Sequence, residues 1–168
     1  MKKILLIAPT GLGKTYLANQ VKELYPDWFV KDMDCFGFWT GGEMGKGQWV
    51  VPELIIDAYS IVKQNTLFVG MMSNFVAIAR RALHQRWNVR VVILSPSDAE
   101  FITKRQKSPD RENPFFQTEG KNKEMLKWMV NSLFTANKVG QTPFLKVGVM
   151  FNPGEEELID IFRKVADL

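Results

Sequence analysis

One stretch near the N-terminus places a buried strand, a glycine-containing turn and a helix in direct succession. Residues 3–7, KILLI, form a short continuous apolar run of the kind found in parallel strands that are covered on both faces. Residues 8–15, APTGLGKT, contain two glycines, and residues 14–24 then place Leu17 and Val21 on one helical face. A strand that leads through a turn into a helix begins a βαβ unit, so this stretch predicts an α/β fold.

The turn carries the residue types that bind phosphate. Gly11 and Gly13 lack a Cβ, so the backbone can curl and direct successive N–H groups toward an anion at the N-terminus of the helix. Lys14 offers a charge for the β- and γ-phosphates of a nucleotide, and the Thr15 hydroxyl can bind Mg²⁺. The strict phosphate-loop pattern begins with glycine, where this chain has Ala8. A glycine-rich turn with a chance lysine is the alternative, but the flanking strand and helix favour nucleotide binding. The predicted nucleotide-binding residues here are Thr10, Gly11, Leu12, Gly13, Lys14, Thr15 and Tyr16.

The rest of the chain continues the alternation of strands and helices. Further strands are predicted at residues 28–34, 66–72, 89–95 and 144–150. Helices are predicted at residues 52–65, 74–87, 96–107, 123–137 and 155–168. Five strands that alternate with helices predict one α/β domain over residues 1–168, with a parallel sheet covered on both faces.

Composition narrows the class of protein. With 46% hydrophobic and 24% charged residues, the chain resembles a soluble globular domain. No apolar run approaches the roughly 18 residues of a membrane span, and the apolar stretch after the first lysines is too short for a secretion signal. The single cysteine, Cys35, suits a reducing cytoplasm. We therefore expect a cytoplasmic protein with no membrane partner and no obligate protein partner. The net charge of +4 mildly favours a polyanionic partner, either nucleotide, DNA or RNA.

An acidic pair follows the second predicted strand. Asp32 and Asp34 are separated by one residue, and alternate residues of a strand share a face, so both carboxylates can point toward the phosphate loop. One can bind Mg²⁺ or its water, and the other can accept a proton from an acceptor hydroxyl. An ordinary polar exit from a strand is the alternative.

Signalling GTPases need an NKxD motif, which is absent here, and the third strand ends in GMMSN rather than in Asp-Glu.

Two arginines lie in the polar stretch KRQKSPDRENPFF, residues 104–116. Arg105 is near the end of a predicted helix, and Arg111 is in the segment that follows. Guanidinium groups can neutralise the charge that develops on the equatorial oxygens during phosphoryl transfer. A solvated basic loop is the alternative interpretation.

Taken in order, APTGLGKT, the DMD sequence after the second strand and the arginine-bearing segment resemble small P-loop kinases of the nucleoside-monophosphate-kinase and shikimate-kinase type. The resemblance covers essentially the whole chain. It implies a three-layer α-β-α sandwich, the P-loop NTPase fold, with a five-stranded parallel sheet in the order 2-3-1-4-5. It also implies ATP as donor, Mg²⁺ as cofactor, and a short lid at about residues 105–122 that closes over the phosphates.

The resemblance also assigns roles to particular residues. It implies that Lys14 and Thr15 bind ATP and metal, that Asp32 and Asp34 serve metal and acceptor, and that Arg105 and Arg111 act on the transition state. The catalytic set is then Lys14, Asp32, Asp34, Arg105 and Arg111, with Thr15 and Asp32 at the metal. A loop after the fifth strand flanks the adenine in such kinases, which here corresponds to residues 152–155, with Asn152 and Pro153.

The acceptor side is less constrained. A loop at about residues 35–50 contains Phe38 and Trp39, which either stack on a nucleobase or cover the core. Ser73 and Asn74 follow the third strand and either bind the acceptor or cap a helix. The chain lacks the glycine triplet of shikimate kinases and has no clear arginine near Ser73 for an acceptor phosphate.

The leading hypothesis is a kinase that transfers the γ-phosphoryl group of ATP to a nucleotide-like acceptor. That acceptor is either a nucleoside monophosphate or a hydroxyl carried on DNA or RNA. The alternatives are a nucleotide-binding switch, a weak ATPase, or a kinase of a small non-nucleotide alcohol.

Overall fold

Five strands form one sheet in the part of the chain that the computed structural model describes, residues 1–33, 52–70, 74–107, 118–138 and 147–168. The strands are β1 (Lys3–Ile7), β2 (Trp28–Asp32), β3 (Asn65–Gly70), β4 (Asn88–Ile93) and β5 (Gly148–Met150). The helices are α1 (Lys14–Leu24), α2 (Pro52–Ser60), α3 (Phe75–His84), α4 (Ala99–Gln106), α5 (Glu119–Lys138) and α6 (Leu158–Ala166). A short 3-10 turn, Pro96–Asp98, leads into α4.

The strand order is β2-β3-β1-β4-β5, and every neighbouring pair is parallel. This confirms the predicted order and the predicted parallel sheet. β1 lies in the centre, where Ile7 pairs with Gly70 on one side and Val91 on the other. Because the strands are parallel, their carboxyl ends meet at one edge of the sheet, and the phosphate loop leaves β1 at that edge.

Each face of the sheet covers its own apolar core. Ile4 and Leu6 pack with residues of α1, α4 and α6, whereas Leu5 and Ile7 pack with residues of α2 and α3. The long helix α5 contributes to both clusters. Alternation of side chains along a strand accounts for this division. The three-layer α-β-α arrangement is therefore confirmed.

The predicted helix at residues 52–65 was too long, because α2 ends at Ser60. The Nζ atom of Lys3, on the central strand, donates hydrogen bonds to the carbonyl oxygens of Val62 at 2.8 Å and Gln64 at 2.9 Å. The next residue, Asn65, already pairs with β2. Contacts with the sheet thus override a pattern that locally favoured a longer helix.

α5 begins at Glu119, four positions before the predicted start. The Thr118 hydroxyl accepts a weak hydrogen bond from the Lys121 N–H at 3.4 Å, as in a helix N-cap. The predicted lid at 105–122 therefore includes part of α4 and the first turn of α5. At 20 residues α5 is the longest described helix, yet neither it nor any other helix of the described segments is long and apolar enough to cross a membrane.

Candidate active site

The turn between β1 and α1 has the backbone conformation that its glycines predicted. Gly11 and Gly13 have φ values of +95° and +89°, in a region where other L-residues are strained. Gly13 is the N-cap of α1, and its carbonyl oxygen accepts the Leu17 N–H at 2.9 Å. The Leu12 side chain is buried in the core and anchors the loop. The loop therefore enters the helix directly, as a phosphate-binding loop requires.

Helix α4 packs against this loop. A Cβ added at Gly11 would lie only 2.9 Å from Cγ2 of Ile102, and one added at Gly13 would lie 3.3 Å from Nη2 of Arg105. The Arg105 guanidinium is also 5.5 Å above the centre of the Phe101 ring, within the range of a cation–π contact. The fold thus brings the predicted Arg105 to the phosphate loop, although the two are far apart in the sequence.

The first turn of α1 combines a buried lysine with a hydroxyl–carboxylate pair. Lys14 is only 6% exposed, and its Nζ donates to the carbonyl oxygen of Pro9 at 3.3 Å. The Thr15 hydroxyl donates to Oδ2 of Asp32 at 2.8 Å, and Asp32 is only 5% exposed. β2 therefore presents its last carboxylate to the head of α1, as the sequence predicted.

These two oxygens are of the kind that Mg²⁺ prefers. No group of three or more histidine, cysteine, aspartate or glutamate residues in the described segments is arranged to hold a metal. A magnesium ion bound through one or two protein oxygens usually completes its shell with substrate phosphates and water. The Thr15–Asp32 pair fits such a site.

A cavity of about 70 Å³ lies beside the loop. Its lining residues are Leu12, Gly13, Tyr16, Leu17, Gln20, Arg105, Phe151, Glu156, Glu157, Leu158 and Ile159. Tyr16 was predicted to contact the nucleotide, and Gln20 lies one turn further along the same face of α1. The spacing of Gln20 from Tyr16 is the one signal in the sequence that points to its place in the cavity.

The turn after β5 contributes to this cavity at a different position from the one predicted. Of the described residues in the turn, Glu156 and Glu157 line the cavity, whereas Asn152 and Pro153 do not. The Asn152 carbonyl oxygen accepts the N–H groups of Glu155 at 3.2 Å and Glu156 at 3.3 Å, so it shapes the turn. Contact of Asn152 and Pro153 with a base stays a prediction.

On the acceptor side, the structure describes one predicted residue. Asn74 is exposed at the N-cap position of α3, and its side chain makes no capping hydrogen bond with the described residues. The other predicted residues of this side lie outside the described residues, as does the second arginine of the segment 104–116, so their roles stay predictions: Asp34, Phe38, Trp39, Ser73 and Arg111.

The arginines of α3 and β4 are partly committed to other contacts. Arg81 donates from Nε and Nη2 to the two carboxylate oxygens of Asp57 at 2.7 and 2.6 Å. This hydrogen-bonded arginine lowers the pKa of Asp57, and Asp57 in turn raises the pKa of Arg81. Arg90 donates to Oδ1 of Asn88 at 2.7 Å. The contact with Asp57 offsets the charge of Arg81, whereas Asn88 is neutral and leaves the charge of Arg90 in place.

Comparison with known proteins supports the fold but finds no relative by sequence. No protein-family model matches the chain, and no curated protein matches it. Among solved structures, the shikimate kinase from Acinetobacter baumannii in complex with shikimate is 21% identical over 99% of this chain and 92% of its own, with a TM-score of 0.53. The tunicamycin resistance protein of Deinococcus radiodurans is 17% identical over 99% and 95%, with a TM-score of 0.54.

A second shikimate kinase, from Bacteroides thetaiotaomicron, is 14% identical over 99% of both chains, with a TM-score of 0.53. At such low identity the likeness concerns the fold, and it extends over nearly the full length of each protein. Together with the strand order and the phosphate loop, it shows that this chain has the α/β P-loop NTPase fold.

Proposed function

We propose that this protein is an ATP- and Mg²⁺-dependent phosphotransferase that moves the γ-phosphoryl group to an oxygen of a nucleotide-like acceptor. The observation that carries the proposal is the 2.8 Å hydrogen bond between Thr15 and Asp32 at the head of α1. It joins a phosphate-loop hydroxyl to a buried carboxylate from the neighbouring strand. A simple glycine-rich turn has no need of this pair, whereas a magnesium–nucleotide site does.

The described residues divide the chemistry among them. The backbone amides of the loop and the ammonium of Lys14 bind the triphosphate, and the Arg105 guanidinium approaches the same loop from α4. Thr15 and Asp32 would hold Mg²⁺, which neutralises charge on the β- and γ-phosphate oxygens when it is bound. Most of the catalytic effect then comes from positioning and from charge neutralisation.

The proposed acceptor follows from the net charge and from the predicted acceptor-side loop. The positive net charge and the predicted aromatic loop favour a nucleoside monophosphate or a hydroxyl carried on DNA or RNA. In this proposal Asp34 accepts the hydroxyl proton, Arg111 joins Arg105 at the transferring phosphoryl group, and Phe38, Trp39, Ser73 and Asn74 bind the acceptor.

A small non-nucleotide alcohol is the second candidate acceptor. Arg81 forms an ion pair with Asp57, which leaves one cation fewer on α3 for an acceptor phosphate. Two of the structures compared above are shikimate kinases, although their likeness to this chain concerns the fold.

The test is transfer of label from γ-labelled ATP. The acceptor panel contains nucleosides, nucleoside monophosphates, shikimate-like alcohols, and DNA and RNA with free hydroxyls, each with and without Mg²⁺. We expect label on one class of acceptor, and loss of at least about a hundredfold in rate in Thr15→Val but not in Thr15→Ser, which keeps the hydroxyl. Label that reaches only water would refute phosphotransfer and favour a weak ATPase or a switch. Steep weakening of acceptor binding with added salt would identify a nucleic acid.

A further inference from the structure

A chain of buried polar side chains connects α5, α4 and the phosphate loop. Nε2 of Gln106 donates to the Thr10 carbonyl oxygen at 3.3 Å and to Oδ1 of Asn122 at 3.4 Å. Nδ2 of Asn122 donates to Oε1 of Gln106 at 3.1 Å and to the Thr103 hydroxyl at 2.8 Å. Gln106 is 3% exposed and Asn122 is fully buried. Two amides therefore face each other inside the protein and hold a carbonyl group of the loop.

These hydrogen bonds are satisfied together in one orientation of the two amides. The Thr103 hydroxyl donates its hydrogen to the Ala99 carbonyl oxygen at 2.7 Å, so toward Asn122 it can only accept. The nitrogen of Asn122 must therefore face Thr103, and its second hydrogen goes to the Gln106 oxygen. The Gln106 nitrogen is then left to face Thr10. Rotating either amide by half a turn would oppose oxygen to oxygen, which is costly in a buried site.

This orientation also determines where a loop amide points. The chain has no cis peptide bond in its described segments, and in a planar trans peptide the C=O and the following N–H point in opposite directions. With the Thr10 oxygen held toward Gln106, the Gly11 N–H points away from α4. The same helix places Arg105, the residue before Gln106, beside Gly13.

We propose that the Gln106–Asn122 pair is a positioning device for nucleotide binding: it fixes the Thr10–Gly11 peptide so that the loop amides and Arg105 are preorganised for a triphosphate. Neither side chain is proposed to touch the nucleotide. The inference rests on the proposed function, because it assigns the loop to a triphosphate. It adds a requirement on residues that the sequence pattern of the loop does not contain.

The test is calorimetric binding of inorganic tripolyphosphate and of ATP, both with Mg²⁺. Gln106→Met keeps the approximate size of the side chain but removes the donor to Thr10. We expect about a tenfold loss of affinity. The loss should be equal for the two probes, because the loop is proposed to bind the triphosphate chain that both contain and not the base that only ATP has. The control is Ile78→Val, which alters the core on the opposite face of the sheet. At a comparable loss of Tm, that control should bind both probes like the wild type.

A second variant separates hydrogen bonding from packing. In Gln106→Glu, the introduced carboxyl group can donate to the Thr10 oxygen only when it is protonated, and burial of the site favours that neutral form. Affinity relative to the wild type should therefore be low at about pH 8 and should recover toward about pH 5.5. If the pair only stabilises the fold, Tm rises on acidification, but the affinity of the folded protein relative to the wild type is the same at both pH values.

Two results are distinguishable as failures. If the wild type binds both probes and Gln106→Met loses no more affinity than Ile78→Val, the positioning role is overturned while the proposed function stands. If the wild type itself binds neither tripolyphosphate nor ATP, the proposed function fails, and the positioning role fails with it.

Discussion

Replacing Gly11 by alanine tests whether the phosphate loop is held by direct contact with α4. At φ +95° an L-residue is strained by about 1–2 kcal/mol. The new Cβ would also lie 2.9 Å from Cγ2 of Ile102 and 3.3 Å from the Ile102 carbonyl oxygen, and the backbone oxygen has little freedom to move. Overpacking of this kind typically costs about 1–3 kcal/mol. We therefore expect Gly11→Ala to lower the free energy of unfolding by about 2–5 kcal/mol in total.

Gly154 offers a matched control. Its φ is +89°, but a Cβ added there would meet nothing within 4 Å. Gly154→Ala therefore carries the backbone strain, and the same change in unfolded-chain entropy, without the contact. The difference between the two variants isolates the contact with α4, about 1–3 kcal/mol, or roughly 2–12 °C in Tm for a chain of this size.

Urea unfolding followed by circular dichroism measures both variants. In an Ile102→Ala background, where Cγ2 is absent, the cost of Gly11→Ala should fall by about 1 kcal/mol or more. The reasoning is refuted if Gly11→Ala is no more destabilising than Gly154→Ala, or if its cost is unchanged when Ile102 is shortened.

Three further predictions concern charged groups of the described structure. Thr15→Val removes a hydrogen bond to the buried Asp32 and should lower the free energy of unfolding by about 1.5–3 kcal/mol in denaturant titrations, whereas Thr15→Ser should stay close to the wild type. Arg105→Ala should weaken ATP binding about tenfold or more in calorimetry, and an unchanged Kd would contradict its place at the loop. Because Arg81 lowers the pKa of Asp57, the folded state is favoured by this pair above the ordinary aspartate pKa of about 4 and loses that advantage as the pH falls below it. The Tm difference between wild type and Asp57→Asn should accordingly be constant near neutral pH and shrink below about pH 4; a difference that persists in acid would contradict the ion pair.

Much of the fold was predictable because it depends on local pattern. The apolar run of β1 and the glycine turn before Lys14 each had one plausible structure, and the alternation of strands and helices restricts the order of a parallel sheet. The boundaries were less predictable. α2 stops at Ser60 because a lysine from the central strand binds the carbonyl groups beyond it, and no pattern within residues 52–65 reveals that contact.

The residues of the candidate site also fall into two groups, those that the sequence predicts and those that only the structure reveals. The first group contains Lys14, Thr15 and Asp32. Their positions at the start of a helix or the end of a strand are those at which phosphate and Mg²⁺ are expected to bind. Gln106 and Asn122 are not recognisable, since an amide on a helix is ordinarily a surface residue. Only the packing of α4 and α5 shows that both are buried and hydrogen-bonded.

The sequence alone therefore determined the phosphate loop, the parallel α/β sheet and the charged residues that are available to bind a triphosphate. These features follow from the periodicity of apolar residues, from the backbone freedom of glycine and from side-chain chemistry. Each of these depends on residues that are close together in the sequence. The tertiary structure alone decided that Arg105 reaches Gly13, that Thr15 meets Asp32, and that a buried amide pair holds Thr10. Such contacts join residues that are far apart in the chain, and they exist only once both cores have packed on the sheet.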